Sequence, residues 1–180
     1  MRVELIAATP DATAALGAAL APLLAPGDVV ALAGPLGAGK TRFVQGMAAG
    51  LGVTGRVTSP TFVLVRRYAA RLPLVHCDAY RLERVGDLAT LDDDVLAPDV
   101  VTCVEWGDAV AAALPAERLE VRLTPDPAAA TAGDGPARRS VALVGHGPTW
   151  AARWDRVRAV MAAAAGATGS APEVEAEGGA

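Results

Sequence analysis

Asparagine is absent from this 180-residue chain, lysine and glutamine occur once each, cysteine twice, and aromatic residues amount to only 4%. Cys77 and Cys103 sit inside the apolar runs "LVHCD" and "VVTCVE" instead of at ligand spacing, which argues against a disulfide framework or a zinc site and leaves two small buried hydrophobes. No basic segment leads into an apolar stretch near the start, and no apolar run is long enough to span a bilayer; a cytoplasmic protein without membrane contact is expected. The formal charge is −4, but Glu173, Glu175 and Glu177 close the chain without a compensating base, so the body before them is nearly neutral. A surface with no basic field excludes tight autonomous binding to a nucleic-acid backbone. No DNA partner is expected, and RNA would be met only through another protein.

Alanine and arginine are abundant, a bias of the kind a GC-rich genome imposes, so alanine content carries little weight as a helix signal. At 52% hydrophobic the chain suits one domain with a sizeable core, placed at residues 1–164, with a disordered tail over 165–180. Residues 11–24 predict a helix whose stripe runs through Leu16, Leu20 and Leu23 and is disturbed at Pro22. The unbroken apolar run 29–33, "VVALA", predicts a strand buried on both faces, the habit of parallel sheets. A helix over 41–51 follows and stops at Gly50 and Gly52. Further strands are expected at 61–68, 73–78, 100–105, 118–124 and 138–145, helices at 82–97 and 108–114, and a mobile Pro/Gly/Ala loop at 125–137. Trp150, Trp154, Val157 and Met161 recur at helical spacing and mark an amphipathic helix that packs its tryptophans into the core.

The single lysine has a specific place. "GPLGAGKT", Gly34 to Thr41, completes the pattern G-x-x-x-x-G-K-[ST] between a buried strand and a helix, the context in which that pattern cradles phosphate. Glycines let successive backbone N–H groups turn inward at phosphate oxygens, and the helix N-terminus adds its positive dipole end. The nest of Gly34, Leu36, Gly37, Ala38, Gly39 and Lys40 has room for a compact ammonium on a slender stem and little for a planar guanidinium, so lysine persists here in a chain that uses arginine at every other basic position. Thr41 is placed to set its hydroxyl on Mg²⁺. The fold class that follows is α/β, P-loop NTPase-like: a mostly parallel central sheet flanked by helices in three α/β/α layers.

Hydrolysis also needs an acid for the metal and a group that positions water. Two apolar strands end in acids, Asp78 and Glu105, and in a parallel sheet strand C-termini gather on the edge that carries the phosphate loop. Glu105, after the longer apolar run, is assigned to Mg²⁺, and Asp78 to the attacking water. "VTSPTF", 57–62, packs hydroxyls, Ser59 and Thr61 among them, around a stiff proline and could sense a γ-phosphate. Guanine recognition through N/T-K-x-D cannot be built without asparagine or a second lysine, so ATP is the expected nucleotide.

In this order, "GPLGAGKT", "VTSPTF", "HCDAYRL" (76–82) and "VEW" (104–106), the chain resembles the TsaE (YjeE) family over residues 3 to about 124. The resemblance implies a slow, Mg²⁺-dependent ATPase of tRNA threonylcarbamoyladenosine biosynthesis, acting with TsaB and TsaD on the modification of the adenosine beside the anticodon and meeting tRNA only through that complex. By motif position it implies that Lys40 holds phosphates, Thr41 and Glu105 hold Mg²⁺, Asp78 serves hydrolysis, Ser59 to Thr61 form a switch-like segment, and Thr9 and Trp106 lie near the base. Pro35 departs from the acid usual there, and Cys77 and Ala79 stand for a larger Phe and Leu. The rival reading is a P-loop small-molecule kinase with Arg81 and Arg84 as lid residues, but no inserted lid segment stands out.

Overall fold

The computed structural model describes residues 1–81, 95–126, 138–168 and 172–173. Strand β1, Arg2–Ala7, alternates exposed and buried residues and opens the chain; its short alternation was not singled out in the sequence. Helix α1, Pro10–Leu20, begins where the Thr9 side chain accepts the Ala12 N–H and Pro10 takes a position that needs no amide donor. It ends earlier than the apolar stripe suggests, because Pro22 forces residues Ala21–Leu23 into a 3₁₀ turn.

Strand β2, Val29–Ala33, is buried along its whole length, and so are β4, Leu74–Asp78, and β5, Val101–Glu105. Helix α2, Lys40–Leu51, follows the phosphate loop and stops at Gly52 in the left-handed region. The remaining strands are β3, Val65–Tyr68; β6, Arg118–Pro125; β7, Arg139–His146; and the two-residue β8, Pro172–Glu173, which pairs with Glu4 and Leu5 within the stretch expected to be tail. Helix α3, Pro148–Ala167, buries Trp150, Trp154, Val157 and Met161, as their spacing predicts.

One mixed sheet runs β3-β4-β5-β2-β6-β7-β1-β8. The four strands β4, β5, β2 and β6 are parallel, and the pairs outside them are antiparallel. Period-2 alternation divides the side chains between the two faces. Val30, Leu32, Leu74, Val101 and Cys103 join the core beneath α1, α2 and α3; Val29, Ala31, Val75, Cys77 and Val104 face a second core closed by Val100, Val110 and Leu114. The architecture is three layers around a central sheet.

Two expectations are corrected. Residues 61–64 are not strand: the Pro60 carbonyl accepts both Val63 N–H (2.8 Å) and Leu64 N–H (2.6 Å), folding them into a turn, with Leu64 at φ +64°. The region 108–114 is a succession of turns with a 3₁₀ helix over Ala111–Ala113, too short an apolar stretch between Gly107 and Pro115 for an α-helix to propagate. The expected helix at 82–97 falls on residues 82–94 outside the described part, with a turn at 95–96, and residues 127–137 of the expected loop lie outside it too.

Candidate functional site

The loop from Gly34 to Gly39 leaves the C-terminal end of β2 and feeds α2. Gly34, Gly37 and Gly39 adopt φ of +135°, +76° and +104°. The N-cap Gly39 has no side chain to cap α2, which leaves the helix's first-turn amides turned toward the loop. Leu36 stands at the exposed tip, whereas Ala38 is buried and its carbonyl accepts Arg139 Nη1 at 3.1 Å.

Lys40 is only 5% exposed. Its Nζ donates to the carbonyls of Gly34 (2.7 Å) and Pro35 (2.9 Å) and lies 3.6 Å from the centroid of the Trp106 ring. Burial lowers the pKa of the ammonium below the ordinary lysine value, while the carboxylates of Glu105, Asp78 and Asp108 act in the opposite direction. At Pro35, the departure from the family pattern, the backbone carbonyl is what the site uses: it accepts Lys40 Nζ and Ala38 N–H. Trp106, at φ +60°, swings back over Lys40, with Tyr80 5.1 Å away ring to ring.

Register explains why the two strand-end acids meet the loop. In the parallel β4–β5 pair Asp78 stands opposite Glu105, on the face that packs against α2. Thr41 Oγ1, in the first turn of α2, donates to Glu105 Oε1 at 2.8 Å and lies 3.1 Å from Oε2. His76 Nε2 lies 2.9 Å from the same Oε1. Asp78 collects a different set: Ser59 Oγ (3.2 Å) and Thr61 Oγ1 donate to Oδ2, and Tyr80 N–H donates to Oδ1 (2.9 Å). The turn at 60–64 is what returns Thr61 to Asp78, and Gln45 of α2 holds the start of the segment through the Val57 carbonyl, 3.0 Å.

Among the described residues no group of three or more His, Cys, Asp or Glu forms a metal cluster. The donor set that does converge is one hydroxyl and one carboxylate, all oxygen, beside a phosphate loop. That set fits Mg²⁺, which keeps several waters and takes substrate phosphate oxygens in place of a complete protein cage.

Lys40, Thr41, Glu105, Asp78, Ser59, Thr61 and Trp106 thus lie at one sheet edge around Gly34–Gly39. Thr9 is engaged in capping α1 (3.0 Å to Ala12 N–H), though Arg42 of α2 reaches the Pro10 carbonyl and Asp11, which sets the start of α1 beside α2. Two residues of the site were not singled out from the sequence. His76 was legible, because two residues before Asp78 on a strand is the same face. Arg139, 5% exposed beneath the loop, carried no signal: nothing in "ARRS" tells which arginine turns inward.

Known proteins carry the same arrangement of sequence. The family model described as "Threonylcarbamoyl adenosine biosynthesis protein TsaE" matches residues 7–132. A Streptomyces coelicolor protein named tRNA threonylcarbamoyladenosine biosynthesis protein TsaE is 45% identical over 140 residues, covering 76% of this chain and 92% of that one. A Bacillus subtilis protein of the same name is 42% identical over 113 residues, covering 62% of this chain and 71% of that one. Among solved structures, the crystal structure of Bacillus subtilis YdiB matches with a TM-score of 0.71 at 29% identity, over 87% of this chain and 94% of that chain. A model spanning the loop and both acids, and a relative matched over nine-tenths of its own length, place this chain in the TsaE family.

Proposed function

We propose that this chain is a magnesium-dependent ATP-binding protein with slow ATPase activity that acts with TsaB and TsaD in tRNA threonylcarbamoyladenosine biosynthesis. The observation that carries the reading is the meeting of Lys40, Thr41 and Glu105 on one face of the phosphate loop, with hydroxyl and carboxylate 2.8 Å apart. Lys40 neutralises β/γ-phosphate charge from a buried position, where a charge interaction is worth more than in water. Loop amides and the open N-terminus of α2 receive phosphate oxygens. Thr41 and Glu105 would hold Mg²⁺, which when bound supplies charge neutralisation on the phosphates. Asp78 orients the attacking water. Ser59 and Thr61 donate to its Oδ2 and hold the carboxylate in place, while Oδ1 takes, among the described residues, only the Tyr80 N–H and keeps acceptor capacity for a water.

The partner assignment draws on the family and on the surface around the site. Leu36, Phe62, Val63 and Tyr80 are exposed apolar side chains on the loop and on the segments flanking Asp78, and a nucleotide-responsive face of this kind suits protein docking. The near-neutral body supports the view that tRNA is met through the complex.

The test is capture of TsaB and TsaD from solution by the full chain with and without ATP, followed by measurement of the modified adenosine in tRNA after depletion. Nucleotide-dependent capture and loss of the modification are expected; phosphate transfer to a metabolite with no effect on tRNA would refute the assignment.

A further inference from the structure

His76 is completely buried in the middle of β4. It stands beside Cys103, two register pairs before Asp78 and Glu105 and therefore on the face that carries both acids. Its Nε2 is 2.9 Å from Glu105 Oε1, while Nδ1, equally buried, has no hydrogen-bond partner among the described residues. A carboxylate only accepts, so Nε2 carries the hydrogen and donates. An orphaned buried nitrogen is unfavourable, and the neighbours on that face of the sheet include the apolar Leu74 and Cys103. A purely packing role at this position would be filled better by an aliphatic side chain. Among the described residues the imidazole makes one polar contact, and that contact is with the acid that meets Thr41.

We infer that His76 is a positioning residue: its Nε2–H holds Glu105 Oε1 so that the carboxylate faces the Thr41 hydroxyl, fixing the pair of oxygen donors offered to the metal. The inference rests on the reading of Glu105 as a metal-holding acid. Glu105 ends its strand, and a free carboxylate there has rotamers that turn away from α2. Thr41 restrains it from one side and His76 from the other, both through Oε1. Partners of this outer kind typically change metal affinity about 10- to 100-fold when removed.

The test measures Mn²⁺ affinity in the presence of ADP, by the paramagnetic signal of free Mn²⁺, for the full chain and for Glu105→Gln, His76→Leu, His76→Asn and His76→Gln. ADP affinity in EDTA is measured in parallel. Leucine removes the donor and asparagine withdraws it toward the Nδ1 position, so both should lose Mn²⁺ affinity by about 10- to 100-fold. Glutamine places its amide near where Nε2 stood and should restore most of the affinity. ADP affinity without metal should stay constant across the series. Leucine and asparagine variants that melt cooperatively and bind Mn²⁺ like the parent would overturn the inference, and so would an equal loss of ADP affinity in EDTA. If neither of those two folds, a folded glutamine variant that has lost Mn²⁺ affinity overturns it and one that keeps it supports it. Unchanged Mn²⁺ affinity in Glu105→Gln, or no Mn²⁺·ADP binding by the parent, would remove the metal reading itself and the inference with it.

Discussion

Replacing Gly39 by alanine should destabilise the protein through two separable effects. At φ +104° an L side chain is strained, at a cost of about 1–2 kcal/mol. The new Cβ would also stand 2.2 Å from Arg139 Nη1, the group that donates to the Ala38 carbonyl. Arg139 is buried, and burial lowers its pKa from the ordinary arginine value, so its head cannot simply swing into water; displacing it forfeits a charge-assisted hydrogen bond worth about 1.5–3 kcal/mol. Gly37 is the control. It also has positive φ, +76°, but an added Cβ would meet nothing within 4 Å, so Gly37→Ala should cost only the conformational part, about 1–2 kcal/mol. Urea unfolding followed by tryptophan fluorescence should therefore place Gly39→Ala about 2.5–5 kcal/mol below the parent, a melting shift on the order of 10 °C. In an Arg139→Ala background the cost of Gly39→Ala should fall to that of Gly37→Ala. Equal costs for the two glycines, or an additive double-mutant cycle, would refute the claim that Arg139 buttresses the loop.

Other consequences can be checked as directly. Asp28→Ala leaves the half-buried Arg153 guanidinium, which Asp28 binds through both oxygens, with the Leu23 carbonyl and the Trp150 ring, and removes the acceptor of the Ala25 N–H (2.8 Å); a loss of about 1.5–3 kcal/mol in urea unfolding is expected for the lost charged hydrogen bonds, and no measurable loss would contradict the argument. Burial pushes the Cys103 thiol well above its ordinary value, with Glu105 and Cys77 adding to the shift, so the thiol stays protonated at about pH 8. Native protein should resist a disulfide reagent there and yield both Cys77 and Cys103 only in denaturant; rapid labelling of folded protein would show the thiols accessible. Filter binding of purified protein to tRNA at about 150 mM salt should detect no tight complex, and sub-micromolar affinity without partners would overturn the reading of its surface.

The parts of the fold legible in the sequence are those where one physical signal dominates. "VVALA" announces a strand buried on both faces because nothing polar interrupts it, and the tryptophan spacing at 150 and 154 reports a helix face directly. The loop and its two acids were legible because strand C-termini in a parallel sheet share an edge. Where signals compete, local pattern misled. Phe62, Val63 and Leu64 have strand-forming side chains, yet two of them are exposed, since Pro60 gathers the amides of Val63 and Leu64 and the backbone closes into a turn. Strand β1 gains its place by pairing with β7 and β8 from the far part of the chain, partnerships no local window contains. Arg139 likewise owes its role to a contact 101 residues distant.

The central claim is that the Lys40–Thr41–Glu105 pocket binds magnesium and ATP together, and calorimetric titration of ATP into the parent and into Lys40→Ala, each with Mg²⁺ and with EDTA, tests it most directly. One site is expected, weakened by EDTA in the parent and by at least about tenfold in Lys40→Ala, the equivalent of one lost charged hydrogen bond. ATP affinity unchanged in Lys40→Ala would contradict the account.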